Sequence, residues 1–240
     1  MNLIRRLSII STLLVSTTTF AADPDDGWYA GLLFGASFLN NIGVNFGNNF
    51  LFNTFGINLP NTTGPQVDYS IGGDIAGQVG YRWCGNYRFE GELYFNFNPI
   101  EKLQIPTLQP IRKHQNSLGY SLKGSTGLLA GFFNAYYDFY TPGSDSNFVP
   151  YIGLGIGYAY FRTSVSLYYL GTYVGGSRFQ DSTTTPIGQG ILGASYFIDE
   201  TLSIGLDFRY LTTRNISDLN GRVTLESINF LINFGFDQPE

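Results

Sequence analysis

Residues 87–98 alternate without a miss. Tyr87, Phe89, Gly91, Leu93, Phe95 and Phe97 fall on one face, and Arg88, Glu90, Glu92, Tyr94, Asn96 and Asn98 on the other. Successive side chains of a strand point to opposite faces, so a period of two this long predicts a β-strand. The same period recurs in seven further segments: Trp28–Leu39, Asp68–Trp83, about Leu122–Phe139, Val149–Phe161, about Pro186–Ile198, Leu202–Tyr210 and about Val223–Phe236. In the second of the eight, Tyr69, Ile71, Ile75 and Val79 oppose Asp74, Gln78 and Arg82. The sixth is the least regular, with Leu192, Ala194, Tyr196 and Ile198 set against Gln189, Gly193 and Ser195. The fourth carries a conflict. Leu128 and Phe132 fall on its otherwise polar face, which calls for a bulge or a partly apolar interior.

The links between these strands sort into two classes. Cys84–Asn86, Tyr140–Phe148 and Asp199–Thr201 are short, whereas Asn40–Val67, Pro99–Ser121, Arg162–Thr185 and Thr212–Arg222 are longer. Alternating short turns and long loops, with an even strand number and both termini at the short-turn end, fit an antiparallel up-and-down barrel. The parity agrees, since a three-residue link lets Trp83 oppose Tyr87 and Ile198 oppose Leu202 on one face.

Alternation alone leaves open a soluble secreted barrel of lipocalin type, with aromatics inside. Three features turn the aromatic face outward, into lipid. The opposite face is rich in Gly, Ala and Ser and poor in Lys and Glu, a composition unsuited to keeping a sheet soluble. Gly153, Gly155 and Gly157 suit a narrow lumen, where eight strands leave just enough room for side chains. Trp28, Trp83, Tyr87 and Tyr137 stand at strand ends, as an interfacial girdle requires. The chain is therefore expected to be all-β: an eight-stranded antiparallel up-and-down transmembrane β-barrel with long extracellular loops and short periplasmic turns.

The N-terminus points to export. Arg5 and Arg6, the apolar Leu7–Val15 and the small residues Thr19 and Ala21 form a secretory signal pattern, cut after Ala21; the apolar run is far below the roughly 20 residues of a spanning helix. Residues 1–21 are then a removed leader and 22–240 a single barrel domain. Loss of the leader's two arginines takes the net charge from −5 to −7, which argues against a nucleic-acid partner. Charged residues are only 13% and aromatics 17%, where soluble domains carry about 25% charge. Cys84 is the one cysteine, so stability rests on strand pairing and not on disulfides.

Candidate chemistry is sparse. The inward charges are Asp74, Arg82, Arg88, Glu90, Glu92, Asp138, Asp207 and Arg209. Glu90 and Glu92 share a face, as acid–base catalysis would want. Three arginines against five carboxylates in a narrow barrel, however, read as a structural salt-bridge network, with Arg82 and Glu90 in diagonal reach on adjacent strands. His114, the sole histidine, lies in a Pro-containing outer loop without strand support. Gly153–Gly157 lacks the third glycine and following helix of a dinucleotide loop, and no Cys/His set or Asp-rich loop suggests a metal. No cofactor is expected. The first long loop is uncharged, with eight Asn and Phe46, Phe50, Phe52 and Phe55, and the third adds Tyr168, Tyr169, Tyr173 and Phe179. These aromatics either pack on one another above the membrane or offer a contact surface.

Gly27-Trp-Tyr-Ala-Gly31, Arg88-Phe-Glu-Gly-Glu92, Asn134-Ala-Tyr-Tyr-Asp138, Pro150-Tyr-Ile-Gly-Leu-Gly155 and Phe208-Arg-Tyr210, in this order, resemble the outer-membrane barrels of opacity-type surface antigens, akin to the OmpA transmembrane domain. The resemblance implies a plugged or narrow lumen in the outer membrane of a Gram-negative bacterium. It implies roles in envelope structure, surface contact or adhesion, or weak porin-like diffusion, and no catalytic residues. The partners it implies are outer-membrane lipid and lipopolysaccharide, the barrel-assembly machinery, and a host or surface ligand at the loops. Two departures stand out: Asp237–Glu240 follow the aromatic Phe236 on which such barrels usually end, and no peptidoglycan-binding domain follows. A His-dependent outer-membrane enzyme is the third functional expectation, after surface contact and a diffusion channel.

Overall fold

The computed structural model describes residues 26–40, 42–43, 66–104, 110–114, 119–141, 146–175, 177–214 and 222–236. Eight long strands run β1 Gly27–Leu39, β2 Gly72–Trp83, β3 Tyr87–Gln104, β4 Tyr120–Asp138, β5 Phe148–Tyr169, β6 Phe179–Phe197, β7 Leu202–Thr213 and β8 Thr224–Gly235. Each pairs antiparallel with its neighbours in sequence, and β1 pairs with β8 over Tyr29↔Gly235 to Leu39↔Leu225, so the sheet returns on itself as a ring. Both described ends of the chain and the three short links lie at one end, here the turn end. The long connections lie at the other, the loop end, with short strands Ile42–Gly43, Gln66–Tyr69, Ile111–Arg112 and Thr172–Tyr173 beside the ring. No described residue is helical.

The distribution of apolar side chains is inverted relative to a water-soluble barrel. Arg209 is the largest fully buried side chain, whereas Leu154 is 75% exposed. Trp28, Leu32, Ile75, Phe95, Phe133 and Ile228 stand outward on the other strands. An apolar surface running round the whole ring is far beyond what a monomer shows to water. It matches a barrel wall in hydrocarbon.

Inward glycines make room for the neighbouring strand's side chain. Tyr29, Tyr136 and Tyr151 lie directly across from Gly80, Gly153 and Gly193. A Cβ on any of these glycines would fall 2.5–2.6 Å from the tyrosine ring. Placing each ring over bare backbone is how eight strands hold large side chains inside without voids. Gly153→Val is expected to cost about 1–3 kcal/mol by overpacking, read as a lower urea midpoint in lipid vesicles, while Gly131→Val, outward and with nothing within 4 Å of its Cβ position, is expected to be near neutral.

The turns are held by carboxylates. Asp26 accepts from the N–H groups of Cys84 and Gly85 at 2.8 and 2.7 Å, fixing the β2–β3 turn to the start of β1. Cys84 and Gly85 both sit at positive φ there. Asp199 accepts from the N–H of Leu202 at 2.6 Å and from the N–H and hydroxyl of Thr201 at 2.9 Å. The Leu202 N–H, followed by the two Thr201 donors, holds its carboxyl below the usual range. A lowered folded-state value makes the contribution full above the ordinary carboxylate range and lost as pH falls through the lowered value. Wild type is therefore expected to be more stable than Asp199→Ala at pH 7, with the difference shrinking below about pH 4 in urea titrations.

The loop end departs from the sequence expectation in three ways. First, the strands are longer there: β3 continues to Gln104 and the β5–β6 hairpin reaches Tyr169 and Phe179. Second, the expected Asp68–Trp83 strand is split, and Gln66–Tyr69 pairs with β3 across a bulge that leaves Glu101 without an opposite residue. A second shift lies between Tyr69↔Ile100 and Gly73↔Phe97, where three residues face two of β3; it exchanges the faces, so Tyr69 turns inward to the Thr126 hydroxyl at 3.0 Å instead of outward. Third, β4 runs in unbroken register with β3 and β5, so Leu128 and Phe132 reflect an apolar lumen section and not a bulge.

Candidate functional site

All eight charged residues assigned to the lumen face inward and are buried. They form two layers toward the turn end. In the first, register sets Arg82 directly opposite Arg88. Asp138 lies between these like charges, 2.8 Å from Arg88 Nε and 3.8 Å from Arg82 Nε. The Arg88 guanidinium also lies 4.6 and 4.7 Å from the ring centres of Tyr136 and Tyr151, and Arg82 5.0 Å from that of Phe197. Glu90 accepts from Arg88 Nη1 at 3.3 Å and from the Tyr29 hydroxyl at 2.5 Å. The expected Arg82–Glu90 pair is therefore absent. Glu90 is bonded by Arg88 and Tyr29, and Arg82 turns to Asp138.

The second layer spans the lumen. Arg209 on β7 donates through Nη1 to both Glu92 oxygens on β3, at 2.7 and 2.8 Å, and through Nε to Asp207 at 3.0 Å. Asn134 donates to Glu92 at 2.7 Å, Gln189 to Asn134 at 2.7 Å, and Asn229 to Asp207 at 2.8 Å. Asp74 accepts from the Tyr94 hydroxyl at 2.7 Å. The carboxylates that would suit acid–base work thus have guanidinium or tyrosine partners and are shielded from substrate.

Beyond these layers the lumen becomes apolar. Leu33, Leu128, Phe132, Phe161, Leu211 and Leu225 belong to one buried cluster drawn from all eight strands of the ring. A polar stratum follows, with Asn96 donating to Ser37 at 2.6 Å, Ser37 to Asn98 at 3.2 Å, and the Thr126 and Thr163 hydroxyls 2.9 Å apart. A second apolar cluster, including Ile100, Leu103, Leu122, Val165 and Leu167, covers the loop end. The sequence pattern shows the charges and, through Leu128 and Phe132, offers a partly apolar interior as one of two alternatives; the second apolar cluster at the loop end is not anticipated by it.

The loop-end candidates are only partly brought together. Tyr168 and Tyr173 pack ring to ring at 5.9 Å, and Tyr169 lies 5.0 Å from Tyr120. They belong to the extended hairpin and not to an irregular loop. Phe46, Phe50, Phe52 and Phe55 lie outside the described residues. His114 is exposed just past the short strand Ile111–Arg112, with no hydrogen-bonded acid or nucleophile among the described residues. No three His, Cys, Asp or Glu side chains of the described residues converge as metal ligands.

A family model described as outer membrane protein beta-barrel domain matches residues 7–236. Among solved structures, the chain is similar to Neisserial surface protein A, at 17% identity over 88% of this chain and 97% of that one, with a TM-score of 0.53. It is also similar to the outer membrane protein OprG from Pseudomonas aeruginosa, at 11% identity over 92% of this chain and 100% of that one, with a TM-score of 0.55. At such identities these likenesses show the fold alone. No curated protein matches the sequence.

Proposed function

This chain belongs to the outer membrane protein beta-barrel domain family, and from that premise we propose that it is a non-enzymatic surface protein whose sealed barrel presents extracellular loops for contact. It reaches the outer membrane after cleavage of the leader at residues 1–21 and is folded there by the barrel-assembly machinery. A host or surface ligand meets the extracellular rim, where Tyr168, Tyr169 and Tyr173 lie.

The observation that carries this reading is the filled lumen. The Glu92–Arg209 layer and the Leu33–Leu225 apolar section lie in series across the path of any solute. A water-filled pore needs a polar lumen from end to end, so a diffusion channel is disfavoured. A His-dependent enzyme is disfavoured too, since a general base must reach its proton partner within about 2.6–3.2 Å and His114 stands exposed without one.

Two measurements test the proposal. Purified protein in planar bilayers is expected to stay silent, and stepwise conductance would establish the channel instead. Protease added to intact cells is expected to cut within residues 41–65 while the barrel stays intact, and Tyr168→Ser with Tyr173→Ser should lower adherence of expressing cells. Uncut loops on a correctly localised protein would end the surface-contact reading.

A further inference from the structure

Positive charge is divided sharply between the two ends of the barrel. Outside the three lumen arginines, all eight described Lys and Arg residues lie at the extracellular end, while the periplasmic turns carry Asp26, Asp199 and Glu200 and no described cation. The protein is acidic overall, at −5, so this placement does not follow from composition.

Three of those cations share the outer face of one stretch of wall. Lys123 on β4, Arg162 on β5 and Arg178 just before β6 are exposed. Outward apolar residues of β5 run from Phe148 to Tyr160. At about 3.4 Å per residue and a tilt of about 40°, that run spans roughly 30 Å along the membrane normal, enough for an apolar band of about 25 Å. Arg162 is the next outward residue and lies at the headgroup level.

The wall is grooved at this level. Arg162 lies opposite Gly127 on β4 and opposite Ser182 on β6. The absent side chain at Gly127 leaves its Cβ position no closer than 4.0 Å to any neighbour. A groove of about 460 Å³ results, floored by Phe95, Phe97, Leu129 and Tyr160. Its upper edge carries Arg162, Arg178, Ser125, Ser164 and Gln180. Neither arginine takes part in an ion pair among the described residues. Asp181 falls on the opposite face from Ser182, Glu101 accepts from Ser70 at 3.2 Å, and Glu226 is on β8. Uncompensated positive charge and hydroxyl donors thus stand directly over an apolar floor that opens to lipid.

We propose that this groove seats a phosphorylated glycolipid of the outer leaflet, with its phosphate between Arg162 and Arg178 and an acyl chain along the floor. The charge fits a phosphate, guanidinium forks match its oxygens, and the apolar floor at hydrocarbon depth fits an acyl chain. A soluble phosphate would find no use for the floor. The inference rests on placement in the outer membrane, and is independent of whether the lumen conducts or the loops adhere.

The test is retention of bisphosphorylated lipid A by detergent-purified protein, followed by native mass spectrometry, with correct folding checked by heat-modifiable gel mobility. Wild type is expected to retain the lipid, and Arg162→Gln with Arg178→Gln to retain about ten-fold less or lower, as loss of two cations near an anionic surface implies. Dephosphorylated lipid A should bind both proteins equally weakly. Gly127→Leu, which fills the groove and keeps both charges, should also weaken retention and serves if the double variant does not fold. Equal retention by wild type and folded variants, indifference to the phosphates, or displacement by millimolar inorganic phosphate would each overturn the proposal. Membrane fractionation of the same variants separates a failure of this site from a failure of outer-membrane placement.

Discussion

Arginine in place of Leu154 is expected to destabilise the barrel by about 2–4 kcal/mol in lipid vesicles, the penalty for a cation on the lipid face near the midplane. Leu154 is 75% exposed and lies midway along the outward run of β5. For a barrel in water the same substitution would fall within about 0.5 kcal/mol of neutral, as exposed positions do. The sign and size of the effect therefore report the solvent around the wall and not the packing beneath it. Thr184→Arg on β6, outward but level with the polar positions above Pro186, provides the depth control and should cost about 0–1 kcal/mol. Urea unfolding in vesicles measures both. A neutral Leu154→Arg in that setting would mean that the aromatic face does not meet hydrocarbon.

Arg209→Met should cost still more, about 3–5 kcal/mol, because it leaves buried carboxylates without their cation. Arg209 is fully buried and contacts Glu92 and Asp207 within 3.0 Å. Most of that cost is uncompensated charge and not lost attraction, so neutralising the partners should recover stability. Arg209→Met combined with Glu92→Gln and Asp207→Asn is expected to be closer to wild type than Arg209→Met alone. The non-additivity is the diagnostic quantity. Additive losses across the three substitutions would show that the layer is not one electrostatic unit.

The sequence made the membrane-embedded half of this fold legible because lipid imposes a single rule there. From Ile152 to Tyr160, even-numbered residues of β5 are apolar and outward, and the odd-numbered ones small and inward. Beyond the apolar band the rule inverts. Arg162, Ser164 and Ser166 point outward, while Val165 and Leu167 are buried inside. The period of two persists, but its apolar phase changes face, and the change mimics a strand end. That is why the expected strand stopped at Phe161. Glu101 hid the end of β3 differently, by shifting the alternation one residue so that Leu103 turns inward. The charges of the lumen were readable from parity alone. Their pairing was not, because Tyr29 competes with Arg82 for Glu90 and Asp138 competes with Glu90 for the arginines, and a competition among side chains is settled by geometry and not by register.

The Glu92–Arg209 contact joins β3 to β7, strands that are not neighbours in the ring and lie 117 residues apart along the chain. Hairpins such as β2–β3 and β6–β7 can zip locally, but this bond exists only once the sheet has curled round and its seam between β1 and β8 has met. It belongs to the last stage of assembly. Contacts absent from the transition state govern how fast a protein comes apart more than how fast it forms. The lumen therefore acts as a latch in time: its loss should leave the rate of membrane insertion nearly unchanged and shorten the lifetime of the closed barrel.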